Sequence, residues 1–181
     1  MRDGLLVRMI GRADGFLGVF IVAAMAMTAL AANMIFPNDP LALAGRPLTL
    51  PFDKAHLPLG TDRLGRDVLA GLVHGARTSL VIALSVLVVA SCAGALIGTL
   101  AGYFGRWLDE GLMRVADAVQ TVPSLVVALA IVSVAGPTRW GVVAALASSA
   151  WTGPARVVRA QVMALKRSAY VEASQLSGRA P

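Results

Sequence analysis

The sequence predicts an all-α, polytopic transmembrane helix bundle of about four spans, with an amphipathic interfacial helix after the first. Three observations lead there. Of the 181 residues, 57% are hydrophobic and only 14% charged, where a soluble domain carries about a quarter charged residues. The mean hydropathy is +0.73, and the excess comes with few aromatics, 6%. The apolar residues also fall in long runs, separated by breaks rich in proline or charge. The net charge of +6 does not point to nucleic acid, because the basic residues are not interleaved with aromatics that could stack on bases. No nucleic-acid partner is expected. The Lys/Arg bias of cytoplasmic loops accounts for the same excess. The lone cysteine, Cys92, sits in an apolar run and reads as a small apolar residue.

The elements follow in order. After a short charged start, Phe16 to Phe36 is 21 residues without a charge, enough to cross a hydrocarbon core of ~30 Å at ~1.5 Å per residue. It is longer than the apolar part of a cleaved signal, and further spans follow it, so it reads as a retained anchor. Segment 37–59 holds Pro37, Pro40, Pro47, Pro51 and Pro58, which forbid a regular helix and predict an extended loop outside the membrane. The stretch from Thr61 to Arg77 then predicts an amphipathic helix at the interface. Thr61 or Asp62 would cap it; Leu64, Val68 and Leu72 form its apolar stripe; Arg63 and Asp67 are spaced as a helical pair. His56 and His74 lack metal-like spacing and read as loop and helix-surface residues.

Ser79 to Tyr103 is the second span. Ala90, Gly94, Gly98 and Gly102 recur every four residues and put small side chains on one face, where another helix can approach closely. Asp109, Glu110 and Arg114 mark a helix start beyond that span, with Glu110 and Arg114 spaced to pair. The third span, from about Leu112 to Ala135, contains Asp117, which near a span's end need not be a proton relay, and Pro123, which should kink or break it. Gly136 to Arg139 predicts a tight turn, and Trp140 to Pro154 a weakly apolar fourth span buried against other helices. This gives three segments: 1–36, a cytoplasmic tail and anchor; 37–77, a periplasmic loop and interfacial helix; and 78–181, the core.

With the N-terminus cytoplasmic, ten Lys/Arg fall on the inner side and six on the outer side, which favours that orientation. Four spans then return the polar tail to the cytoplasm. No paired acids, nucleophile set, metal cluster or Walker-type phosphate loop is visible, so no catalytic residue, cofactor or metal is expected.

Three ordered stretches carry a resemblance: "LGTDRLGRDVLAGLVHGARTSL", "GTLAGYFGRWLDEGLMRVADAVQTVPSLVVALAIV" and "WTGPARVVRAQVMALKRSAYVEASQLSG". Over residues 60–178 the chain closely resembles the inner-membrane permease subunits of binding-protein-dependent ABC importers, of the dipeptide, oligopeptide and nickel type. The third stretch resembles that family's EAA loop, with Glu172, Ala173, Ser174 and Gly178 at its core positions. Ser174 stands where alanine is usual, and Leu57 separates His56 from Pro58, a departure from the family pattern. In that family the loop is followed by a second short helix and two more spans, six in all. The chain is therefore expected to be part of a permease that stops inside the loop.

The resemblance implies function. The EAA loop is implied to dock in a cytoplasmic ATP-binding subunit, with Tyr170 as aromatic anchor, Glu172 as charge partner, Ala173 and Ser174 as close-approach residues, and Gly178 turning the chain. The implied partners are a second permease subunit, two such ATP-binding subunits, an extracytoplasmic substrate-binding protein and membrane lipid. The implied work is ATP-driven passage of peptides, nickel or other small solutes across the cell inner membrane. The binding protein is expected at segment 37–59 or at the helix from Thr61 to Arg77. The alternative is a truncated, non-transporting membrane fragment, or a small scaffold or regulatory membrane protein.

Overall fold

The computed structural model describes residues 13–168. Six helices lie within these residues: α1 (Ala13–Ile35), α2 (Val68–Phe104), α3 (Arg106–Thr121), α4 (Ser124–Ala135), α5 (Arg139–Ala150) and α6 (Thr152–Lys166). The chain divides at Val81 and Ile82 into two compact units.

In the first unit, α1 is the anchor foreseen from its uncharged run, and most of its large apolar side chains are exposed, as lipid contact requires. Its C-terminal end is tied to α2: Arg77 Nη1 donates to Asn33 Oδ1 at 2.6 Å, and His74 Nε2 lies 3.0 Å from the Phe36 carbonyl. The five-proline segment contains no helix, but it is not extended. It folds back on itself through isolated bridges, Leu43 with Arg66 and Thr61 with Asp67 among them, around a Leu57 that is 1% exposed.

Residues 60–67 are the clasp of that loop, and they replace the predicted start of an interfacial helix. Gly60 and Gly65 adopt φ of +70° and +79°, a region that only glycine enters freely. A Cβ on Gly65 would stand 2.5 Å from the Gly45 carbonyl oxygen. Thr61, buried, donates its hydroxyl to the Arg46 carbonyl at 2.5 Å and accepts from the Thr49 N–H at 2.9 Å. Asp62 Oδ1 accepts from the N–H groups of Leu64 and Arg66 at 2.8 and 2.9 Å. These bonds commit the backbone to turns, so neither Thr61 nor Asp62 caps a helix, and Arg63 and Asp67 do not pair on one. Asp67 is the cap instead, accepting from Leu69 N–H at 2.8 Å and Ala70 N–H at 3.3 Å.

From Val68 the helix runs without a break for 37 residues. No proline separates the predicted interfacial stripe from the second span, and the helix continues through Gly75, so the two fuse into α2. About 55 Å of helix results at ~1.5 Å per residue.

In the second unit the third span breaks where Pro123 predicts, and α3 and α4 meet at an angle of 85°. α4 is uncharged and apolar apart from Ser124 and Ser133, and it packs against α5 across the turn at Gly136–Thr138, where Thr138 Oγ1 accepts from Gly141 N–H at 3.0 Å. Among the described residues two helices are long and apolar enough to cross a membrane, α1 and α2, or three spans if α3 and α4 count as one. The predicted fourth span does not form as one piece. α5 has 12 residues, ~18 Å of helix, and turns at Trp151 into α6. Pro154 lies in the first turn of α6, where its missing N–H costs nothing, rather than at the end of a span. The weak hydropathy of α5 does go with burial, as expected: Gly141, Val143, Ala145 and Ala147 are all buried.

Candidate functional site

Tyr170, Glu172, Ala173, Ser174 and Gly178 lie outside the described residues. What the structure does describe is the helix that leads into them. α6, "TGPARVVRAQVMALK", carries three arginine or lysine side chains, a threonine and a glutamine among its 15 residues, and its neighbours in the second unit explain why.

One side of α6 rests on the small-residue face of α2. A Cβ on Gly94 would lie 2.7 Å from both Pro154 Cβ and the Trp151 carbonyl oxygen. One on Gly98 would run into the Ala155 carbonyl, and one on Gly102 would lie 2.8 Å from Val162 Cβ and 2.9 Å from the Arg159 carbonyl. Real Cβ atoms do not come this close, so the approach requires glycine at all three positions. Ala90, one turn earlier, is buried, as are Ala101 on α2 and Ala155 on α6. The four-residue spacing and the close contact are the same fact, because positions four apart share a helix face.

The other side of α6 is bonded to α3. Arg159 grips Asp109 in a two-point ion pair: Nε to Oδ1, and Nη2 to Oδ2 at 2.6 Å. Asp109 is only 8% exposed. A carboxylate so buried would be costly alone, and the bidentate fork of arginine matches it. One turn before Arg159, Arg156 donates to Asp117 Oδ1 at 2.6 Å and to Gln120 Oε1 at 2.7 Å. Gln120 Nε2 in turn donates to the buried Thr152 hydroxyl at 2.8 Å, which donates to the Ser149 carbonyl at 2.9 Å. Asp117 is mostly exposed and paired with an arginine. Glu110 and Arg114 form the predicted surface pair at 2.6 Å.

The last turn of α6 closes on the end of α2. Lys166 Nζ donates to the Tyr103 carbonyl at 2.6 Å and stands 5.3 Å from the centre of the Tyr103 ring. That carbonyl is among the last of α2, which have no intrahelical donor and attract a cation. Just beyond, Gly105 and Arg106 turn the chain into α3 with φ of 63° and 48°.

The cross-helix bonds were not read from the sequence, which gave Asp109 and Asp117 only local roles. Their spacing of eight, and that of Arg156 and Arg159 by three, place each set on one helix face. Nothing in the spacing alone says that the faces meet. Among the described residues no group of three or more His, Cys, Asp or Glu could hold a metal ion.

Comparison with known proteins gives this arrangement a family. Residues 94–180, which include the Gly98 and Gly102 contacts, α3 to α6 and the stretch beyond, match the family described as binding-protein-dependent transport system inner membrane component. The chain is 38% identical over 166 residues to the di/tripeptide transport system permease protein DppC of Pseudomonas aeruginosa (strain UCBPP-PA14), covering 89% of this chain and 55% of that protein. It is 37% identical over 162 residues to the nickel transport system permease protein NikC of Escherichia coli (strain K12), covering 90% and 58%. It is 32% identical over 161 residues to the dipeptide transport system permease protein DppC of Bacillus subtilis (strain 168), covering 89% and 50%. The chain thus spans 50–58% of the length of these curated relatives. Over residues 94–180 the chain carries the inner membrane component domain of binding-protein-dependent transport systems, and its apolar helices are those of a multi-pass inner-membrane protein.

Proposed function

We propose that the chain serves as a permease subunit of an ABC importer, with peptides as the leading cargo and nickel or another small solute as the alternative. Peptide and nickel systems both occur among its relatives. It does no ATP chemistry itself. Two cytoplasmic ATP-binding subunits, a second permease subunit and an extracytoplasmic substrate-binding protein complete the machine. ATP-driven closure of the ATP-binding subunits rocks the helices between inward- and outward-facing states. Tyr170, Glu172, Ala173, Ser174 and Gly178 form the contact with an ATP-binding subunit, and the folded loop at 37–67 meets the binding protein.

The observation that carries this reading is the bonding of α3 to α6. Two helices joined by ion pairs lie on one side of a bilayer, whatever α4 and α5 do between them. The last turn of α6 then lies on the side where α2 ends. Ten basic residues assigned to this side against six on the other favour its being the cytoplasm.

Reconstitution tests the reading. The full-length permease that contains this sequence is placed in proteoliposomes with its cognate second permease, ATP-binding subunits and binding protein, and uptake of radiolabelled dipeptide and of nickel is measured with and without ATP. ATP-dependent accumulation of either that disappears when that permease is left out is the expected result. Equal uptake without it refutes the reading.

A further inference from the structure

We propose that Lys166 and Arg159 are positioning residues that fix the direction in which the chain leaves α6. The proposal rests on the transport reading only for its purpose; the geometry stands by itself. Three independent holds act on α6 in the second unit. Gly94, Gly98 and Gly102 let its backbone sit directly on α2. Arg159 binds the buried Asp109 of α3 at two points. Two turns later, Lys166 binds the terminal carbonyl and the ring of Tyr103. The first hold sets how near α6 lies. The second stops it turning about its axis, because a planar two-point pair has a fixed orientation. The third fixes its last turn, two residues before the described chain ends at Ser168.

A helix that only filled space would not need all three. Its last turn carries no burial that would hold it, since Leu165 and Arg167 are exposed. Lys166 has a long, flexible stem, and surface lysines ordinarily gain little from a single contact. Here the ammonium meets an unpaired helix carbonyl and an aromatic face together. The end of α6 is thereby joined to the end of α2, so displacement at the segment after Ser168 moves α2 and α3 with it rather than bending the chain between them. In a transporter, that makes α6 a stiff lever between the ATP-binding subunit and the membrane helices.

The test reads stiffness first. The full chain, with Cys92→Ser and a spin label on Arg167→Cys, is placed in lipid nanodiscs. A second label on Leu96→Cys gives the α2-to-α6 distance. Lys166→Met is expected to raise the label's mobility and broaden the distance distribution about twofold or more; Lys166→Arg restores both, because it keeps a charged donor. The exposed control Glu110→Gln leaves both unchanged. Equal order in wild type and Lys166→Met overturns the proposal, and so does failure of Lys166→Arg to restore it. Arg159→Gln leaves Asp109 unpaired and can unravel α6, so its helix content is checked by circular dichroism and the decision rests on Lys166. A second measurement adds the partner subunits. Lys166→Met is expected to lower binding-protein-stimulated ATP hydrolysis about two- to thirtyfold, with recovery in Lys166→Arg. If the wild-type assembly shows no stimulation at all, the transport reading fails, and label mobility alone still decides the role of Lys166.

Discussion

Thr61 and Asp62 show how two adjacent side chains can hold a loop that has little core. Thr61 donates to one backbone group across the loop and accepts from another. Thr61→Val keeps the shape but strands both partners, and is expected to cost about 1–3 kcal/mol of local stability. Faster amide exchange at Thr49, with exchange in α1 unchanged, checks it. The Asp62 carboxyl is held below its ordinary pKa, first by the Arg66 N–H, with burial opposing and the Leu64 N–H and the Arg66 charge assisting. A carboxyl with a lowered folded pKa stabilises fully above the unfolded value, about 3.9, and loses that contribution as pH falls through the folded value. An NMR titration of Asp62 is therefore expected to have its midpoint below that of an aspartate in an unstructured peptide. Asp62→Ala should speed exchange at Leu64 and Arg66 and remove this acid sensitivity; unchanged exchange would deny Asp62 its role.

At the scale of elements, two substitutions separate packing from chance. Gly98→Leu drives a side chain into the Ala155 carbonyl of α6 and is expected to cost about 1–3 kcal/mol or more, read as loss of assembled protein in detergent. Leu100→Ala, on an exposed part of the same helix, should matter less. Equal effects would remove the packing argument. The ion pairs should differ likewise. Asp109→Asn loosens a pair whose acid is nearly buried and is expected to approach the ~3 kcal/mol lower limit for breaking a buried pair. Asp117→Asn loosens an exposed one and should cost about 1 kcal/mol or less. Thermal unfolding of the two variants in nanodiscs compares them. The anchor and the break at Pro123 were legible, because each depends on a local pattern of apolar or cyclic residues. The start of α2 was not. The stripe at Leu64, Val68 and Leu72 has helical spacing, yet the backbone of 60–67 is claimed by partners some 12 to 21 residues away, which periodicity does not see. The division into α5 and α6 was missed for a related reason: Pro154 looked like an end and is in fact a beginning.

At the scale of the whole molecule, the orientation is open to direct test. A reporter active only outside the cytoplasm should be active after Leu50 and silent after Arg106 and at Pro181; the reverse pattern would overturn the assignment. Most of the membrane fold could be read in advance, since lipid imposes long uncharged runs. The contact of α3 with α6 could not, because it depends on helices that the sequence shows separately. The length of α2 has one more consequence. Its 37 residues make a rod of about 55 Å against a hydrocarbon layer of ~30 Å, and Arg77 lies nine residues inside its start. A rod with that much surplus need not match any one lipid thickness. By tilting, or by letting its first turns stand in the headgroups, it can meet thin and thick bilayers alike without exposing an unpaired backbone group. Insertion of this helix should therefore vary little with lipid chain length, while the shorter α1, with only 23 residues, is the element that senses the bilayer.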